Sequence, residues 1–540
     1  MIALPTLIRY GISAGLILLV VFHPAIRRWW KSARYRRGRS LVKANASVRR
    51  RPKNSLRWGN AWIPESAATG HFLAVGTTGS GKSQIQKLLM KDALCQIRAG
   101  SDKRAVIFDA KNDVSAFLHH INVQCPVFTL NPFHASGGLA TPVAWDIASD
   151  VTSPARALNL AKSLIPSERS GTNQYFSDAA RLVVAAIIES MIRHSGKSWT
   201  FPDLVFGCLA RSRMEAILER DTAGRDVLAG FLGDDRVAYS VASTVFSRMS
   251  YFKPIAALWQ RIDRRLSIRL WLETESILLL GANATARTSL DAINEQIFRV
   301  MTEEVDVLGN SASRRIWCWI DEARLSGPLL HSDLLPFLAV KGRSRGVALV
   351  LAFQDIEGLR EAAGERLANE IVSQMSHKAL LRAESDGTAQ FASKLCGQFE
   401  TIEYFESDSS SLSQSVSAQR VVRDAVLPSE FFQIPPSRRE NGLTGYFLSP
   451  HFGAQKSTVL GEDIQAVVVN DADELRHSIK PQPESYQWIQ EWAPCDHQRL
   501  AIRQTLEPEP NLSHEGESSR PRRNPFRGSI EASDVHEIPN

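Results

Sequence analysis

One eight-residue segment constrains the fold of this chain more than any other: Gly76-Thr77-Thr78-Gly79-Ser80-Gly81-Lys82-Ser83. It satisfies G-x-x-x-x-G-K-[ST] in full. An apolar run, HFLAV, leads into it, and a helix-forming stretch, SQIQKLLMKDALCQI, leads out. In such a loop the glycines let the backbone wrap phosphates, and successive N–H groups point inward as an anion nest. The following helix adds the positive end of its dipole. Lys82 is expected to reach the β- and γ-phosphates of ATP, and Ser83 to ligate Mg²⁺. Gly76 through Ser83 is therefore the candidate nucleotide cradle. A chance glycine-rich turn is the alternative, and the strand–loop–helix context argues against it.

Such a cradle needs a carboxylate at the end of a second apolar strand. Ile316-Trp317-Cys318-Trp319-Ile320-Asp321-Glu322 supplies two. Asp321 is expected in the Mg²⁺ shell, and Glu322 as the general base that orients water. A carboxylate pair after a strand can also be a helix N-terminal cap; the phosphate loop favours the catalytic reading. Hydrolysis further needs a cation on the developing γ-phosphate charge, which ring motors take from a neighbouring subunit as an arginine finger. Lys341-Gly342-Arg343-Ser344-Arg345-Gly346 precedes the apolar run VALVLA, and Gln354 stands at that run's end. Gln354 is placed to sense the γ-phosphate or position water. Spacing does not choose between Arg343 and Arg345, and surface ion pairs or DNA contacts are alternatives for both.

The rest of the chain fits an α/β domain. Phe72–Val75, Ala105–Phe108 and Val127–Leu130 read as short strands, the first two separated by a helix. Residues 151–265 instead show helical periodicity, as in Ala179–Ile192. Strand signals return at Ser276–Leu280, Ile316–Ile320, Val347–Ala352 and Ala379–Leu381, and Ala466–Val469 is the last strand candidate. The expected organisation is a nucleotide-binding domain, 58–150 and 266–470, split by an all-α insertion at 151–265. A C-terminal extension, 471–540, follows. Ser407–Ser417 reads as a polar loop or hairpin. Beyond about 506 the chain is rich in Pro, Ser, Glu and Arg and is expected to be disordered.

Charge is distributed unevenly. The net +7 resolves into +14 before the first acidic residue, Glu65, and −7 over the remainder. The basic residues from Arg27 onward directly follow the apolar stretch Ile2–Ile26, which is long enough to span a bilayer. Trp29 and Trp30 suit the headgroup level. By the positive-inside rule one N-terminal transmembrane helix, 1–26, anchors a cytoplasmic body through a basic linker, 27–57. A signal peptide would carry its charges before the apolar core; a peripheral amphipathic anchor is the other alternative. A mean hydropathy of −0.16 excludes a polytopic transporter. The closest two of the six cysteines are thirty residues apart, so neither a zinc set nor a disulfide framework is indicated.

With these elements in order, the chain resembles the type IV secretion coupling proteins of the TrwB/TraD type, conjugative DNA-transfer ATPases. Besides the two nucleotide motifs, Asp109-Ala110-Lys111 resembles the family's D-P-K and Asn131-Pro132-Phe133 its N-P-F. Tyr175-Phe176-Ser177-Asp178-Ala179-Ala180-Arg181 resembles its aromatic-x-x-A-A-R segment. The resemblance runs to about residue 465. It implies a RecA-like domain interrupted by an all-α domain, and a homo-hexamer with a channel for single-stranded DNA. The implied partners are relaxase and relaxosome proteins, a type IV secretion channel and the inner membrane. It also gives the finger role to Arg343 and the sensor role to Gln354. Three features depart from the pattern: a single membrane span where many relatives have two, Asp146 where they carry Asn, and Ala110 in place of Pro.

Two other functions use the same core: an FtsK- or HerA-like double-strand translocase, and an adaptor that binds nucleotide only for assembly. The first usually adds further spans and a winged helix, which are not evident. The second does not need Lys82, Asp321, Glu322 and Arg343 together. No helix-turn-helix, zinc finger or RNP motif stands out. Arg261, Arg264, Arg265 and Arg269 form a cluster that reads as a solvated helix face or a phosphate contact. Any DNA binding is expected to be sequence-independent and salt-sensitive.

Overall fold

The apolar runs become strands covered on both faces. A computed structural model of the chain describes residues 34–42, 51–166, 172–233, 235–330, 334–408 and 414–502. The proposed span Ile2–Ile26 and the tail beyond 506 lie outside these. Among the described residues no helix is long and apolar enough to cross a membrane.

The central sheet contains β1 (Phe72–Val75), β2 (Lys103–Asp109), β3 (Val127–Thr129), β4 (Thr141–Pro142) and β5 (Ile277–Gly281). It continues with β6 (Arg315–Ile320), β7 (Val347–Phe353), β8 (His377–Leu380), β9 (Leu443–Ser449) and β10 (Gly453–Val459). Their spatial order is β10-β9-β8-β1-β7-β6-β2-β5-β3-β4. From β8 to β4 all neighbours are parallel; β9 and β10 close one edge antiparallel.

Alternate residues of the central strands enter opposite cores, as pleating requires. Ile316, Cys318 and Ile320 face one side; Trp317 and Trp319 face the other. The two indoles stack at 4.7 Å and continue through Phe72 to Trp58. Burial on both faces explains why these strands read as unbroken apolar runs.

Helix α1 (Lys82–Leu94) follows the phosphate loop, and α2 (Val114–His120) follows β2. Helices then occupy the chain from Ile147–Asp150 to Lys253–Gln260. The longest of these, α3 (Thr172–Ser195), buries Val183, Val184, Ile187, Ile188 and Met191 along one stripe. The helical region leaves and rejoins the sheet domain at one place, where Ala144–Trp145 pairs in parallel with Arg265–Leu266. Asp150 pins this junction. Its buried carboxylate accepts from the Trp145 indole, the Ser267 hydroxyl and the backbone N–H groups of Ile268 and Arg269.

Several expectations need correction. The stretch 27–57 is not a plain linker where it is described. Arg34–Gly38 adds a strand to the hairpin Gln398–Asp408/Gln414–Asp424, and Ser55–Trp58 pairs with Ala61–Pro64, burying Leu56. Ala466–Val469 is not a strand. It is the turn after the helix Gly461–Gln465, with Val467 packed into the core and so unable to extend an edge. Strands β9 and β10 gave no clear signal, because Gly, Ser, Thr, Lys and Gln interrupt their apolar positions. The arginines 261–269 do not share a helix face. The helix ends at Gln260, Arg261 stacks over Tyr486 at 4.4 Å and Arg264 over Phe128 at 5.0 Å.

Candidate functional site

The phosphate loop occupies the crevice at the C-terminal ends of the parallel strands, where open α/β sheets bind ligands. Its shape depends on the absence of side chains at two positions. Gly81 adopts φ +97°, and a Cβ there would run into Leu443. A Cβ on Gly76 would stand 2.8 Å from that of Leu381. The loop is tied down by bonds from Thr77 N to Arg382 O at 2.8 Å and from Ser437 N to Gly79 O at 3.2 Å.

Lys82 folds back over this loop, donating to the carbonyls of Gly76 at 2.6 Å and Thr77 at 3.1 Å. Burial lowers its pKa, while Glu322 and Asp321 act in the opposite sense. The Ser83 hydroxyl donates to Asp321 at 3.0 Å. These residues, 238 positions apart, bring a hydroxyl and a carboxylate together as an oxygen pair of the kind Mg²⁺ prefers. The Ser80 hydroxyl is buried within the loop and has no hydrogen-bond partner among the described residues.

Because β7 lies between β1 and β6, its end delivers Gln354 between the loop and the carboxylates. The Gln354 amide donates to Glu322 at 3.4 Å and accepts from the Thr78 hydroxyl at 3.5 Å. The cavity enclosed here measures about 380 Å³, within the range for small-molecule sites. Thus Gly76–Ser83, Asp321, Glu322 and Gln354 converge.

Arg343 does not join them. It lies in the turn Gly342–Arg345 at the start of β7, near His71 and His377. Seven residues of strand separate it from Gln354, roughly 20 Å. Its side chain is exposed and forms no hydrogen bond or ion pair among the described residues. Arg345 differs: it pairs with Asp306 at 3.1 Å and donates to the carbonyls of Leu308, Lys341 and Asp306.

Lys111 was picked out in the sequence only as part of a resemblance, yet it belongs to the site. Its ammonium stands 3.6 Å from Asp321 and 3.5 Å from Glu322. Asp109, at the end of β2, accepts the N–H groups of Asp113 and Val114 and so starts α2. Burial pushes its pKa up to about 7, with Asp113 adding to the effect. Asn131 accepts from Phe133 N and donates to Asn112, bracing the neighbouring strand end. Sequence reasoning also missed Ser437, Val467–Val469 and Glu474, which complete the cavity wall. No local motif marks them, since only the fold brings them there.

Three comparisons bear on this arrangement. Residues 56–450 match the family model for the type IV secretion-system coupling protein DNA-binding domain. The coupling protein TraD of Escherichia coli (strain K12) is 24% identical over 366 residues, 65% of this chain and 47% of TraD. The chain thus spans about half the length of that curated relative. Among solved structures, the unbound TrwB conjugative coupling protein superposes with a TM-score of 0.60 at 19% identity, over 79% of this chain and 93% of that one. TrwB in complex with ADP and Mg²⁺ gives 0.59 at 18% identity, over 85% and 97%. The ten-stranded sheet with its helical interruption is therefore a TrwB-like fold, and the chain belongs to the family of type IV secretion-system coupling protein DNA-binding domains.

Proposed function

We propose that this protein is an ATP-driven motor that moves DNA into a type IV secretion channel during conjugation. The observation that carries this is that Lys82, Ser83, Glu322 and Gln354 line one cavity, with Asp321 bonded to Ser83, in a chain of the coupling-protein family. TrwB, which shares the fold, is known with ADP and Mg²⁺ bound.

In this reading the loop N–H groups hold the phosphates and Lys82 swings from the Gly76 and Thr77 carbonyls to meet them. Ser83 and Asp321 would hold Mg²⁺, which supplies charge neutralisation on the phosphate oxygens. Glu322 orients and polarises water, and Gln354 couples Glu322 to Thr78 of the loop. Arg343, exposed and far from its own cavity, acts as the finger for a neighbouring subunit's site. That role requires a ring, here a homo-hexamer around DNA, single-stranded by preference. Residues 1–26 anchor the body to the inner membrane, with relaxase proteins and the secretion channel as partners.

The test is ATP hydrolysis by the full chain with single- or double-stranded DNA across a salt series. Stimulation by single strands that fades with salt is expected, as is its loss in Lys82→Ala. Equal activity in Lys82→Ala would refute the motor; preference for duplex DNA would favour a double-strand translocase.

A further inference from the structure

The cavity has a second end. Beyond the phosphate loop its wall passes along α1, through Gln84 and Lys87, to Ser437 and then to Val468, Val469 and Glu474. Glu322, Gln354 and Thr78 take the terminal phosphate, so the lining that remains, Ser437 and Val467–Glu474, falls to whatever the phosphates are attached to. The valines and Glu474 fall outside the stretch 56–450 that matches the family model.

The chemistry of this end differs from that of the phosphate end. Val467 is buried and fixes the segment to the core, whereas Val468 is 37% exposed at the cavity wall. Lys87 is not free to meet an anion: Asp113 holds it at 2.9 Å, and it lies over the Phe117 ring. The Glu474 side chain is exposed and has no hydrogen-bond or ion-pair partner among the described residues. Gln84 Oε1 accepts from the Ser437 hydroxyl at 2.8 Å, which fastens the loop bearing Ser437 to α1. Among the described residues that line it, this end therefore combines an apolar surface with an unpaired carboxylate acceptor and no available cation. It repels further phosphate and suits a flat, weakly polar group that carries hydroxyl donors.

We propose that the segment Val467–Glu474 is the nucleoside-recognition wall of the site. Val468 and Val469 cover one face of the base, and Glu474 accepts hydrogen bonds from the ribose hydroxyls. This rests on the reading of the other end as the ATP phosphate site.

The test compares binding of Mg·ATP and of inorganic tripolyphosphate to the full chain and to Glu474→Ala and Val468→Ser. Both side chains are exposed, so the variants should fold. Each is expected to weaken ATP binding about tenfold and to leave tripolyphosphate binding within about twofold. Unchanged ATP affinity in both variants, or equal loss of the two ligands, would overturn the assignment. A parent chain that binds neither ligand would overturn the ATP reading itself, a result distinct from the first two.

Discussion

The ammonium of Lys111 stands 3.5 Å from the carboxylate of Glu322, the residue assigned to orient water. Burial disfavours its charge, but Asp321 and Glu322 outweigh that and raise its pKa. A fixed cation beside the carboxylate pair relieves their repulsion and lies close to where γ-phosphate charge develops. Lys111→Met is expected to lower ATP turnover by about 100-fold, the usual effect of removing one preorganised charge partner. Steady-state hydrolysis measures this, and turnover near that of the parent would exclude the role.

Arg343 and Arg345 should separate cleanly. Arg343→Ala is expected to keep ATP binding and fold stability while losing about a thousandfold in hydrolysis. Mixing it with Lys82→Ala subunits should restore part of the activity, because each variant supplies what the other lacks. Arg345→Ala should instead lower stability by about 1–3 kcal/mol through loss of its carbonyl bonds. Urea midpoints and a subunit-mixing assay distinguish the outcomes.

His71 makes stability pH-dependent. Its Nε2–H donates to the Ala339 carbonyl at 2.8 Å, and Nδ1 accepts from Leu349 N–H at 3.1 Å. A second proton would set two donors against each other. Burial lowers the pKa to about 4, helped by Arg343 and His377. The unfolded chain then binds a proton from pH 6.5 downward while the folded chain resists until about 4. Stability falls as pH drops through that window, by about 1–3 kcal/mol from this group. Asp109, raised to about 7, acts in the opposite sense over much of the same window. The readout is therefore the difference between the parent and His71→Gln, which should lack the His71 component of the acid slope.

Truncation tests the anchor and the structured part of the supposed linker separately. Removing residues 1–33 is expected to release the chain from the membrane fraction with its urea midpoint unchanged. Removing residues 1–57 also strips Leu56, which is fully buried, and the Arg57–Asp463 pair at 2.6 Å. That longer deletion should cost about 2–5 kcal/mol. A 1–33 deletion that still sediments with membrane would sink the anchor assignment.

The parts of the site that were legible in sequence are those written as contiguous patterns. Gly76–Ser83 joins loop, helix start and reactive group, and Ile316–Glu322 joins strand and reactive group, each within eight residues, so local chemistry names them. Gln354 followed from its place at the end of an apolar run. Lys111 has no such frame; its role arises only when β2 and β6 pair and place it beside Asp321. Val467–Val469 misled because three adjacent valines favour strands, whereas burial of Val467 after a short helix imposes a turn. Edge strands β9 and β10 were hidden by their mixed composition. Strand Arg34–Gly38 was hidden by its charge, which suits an exposed edge.

The same run of chain that walls the nucleotide cavity continues to the helical region. Past Glu474 it stacks His477 on His119, donates from the Trp492 indole to Asp203, pairs Arg499 with Asp203 at 2.8 Å and buries Leu500. A ribosome makes the phosphate loop early and this run late. At about 5–20 residues per second, roughly 20–80 s separate Lys82 from Glu474. During that interval the nascent chain carries the loop before Arg382, Ser437 and Leu443, which hold its shape, are all in place, and helices whose closing contacts are still unmade. The cavity wall is complete only once Glu474 has been made and the helical contacts only at about residue 500, so a product terminated before then would be left with both regions open to proteolysis.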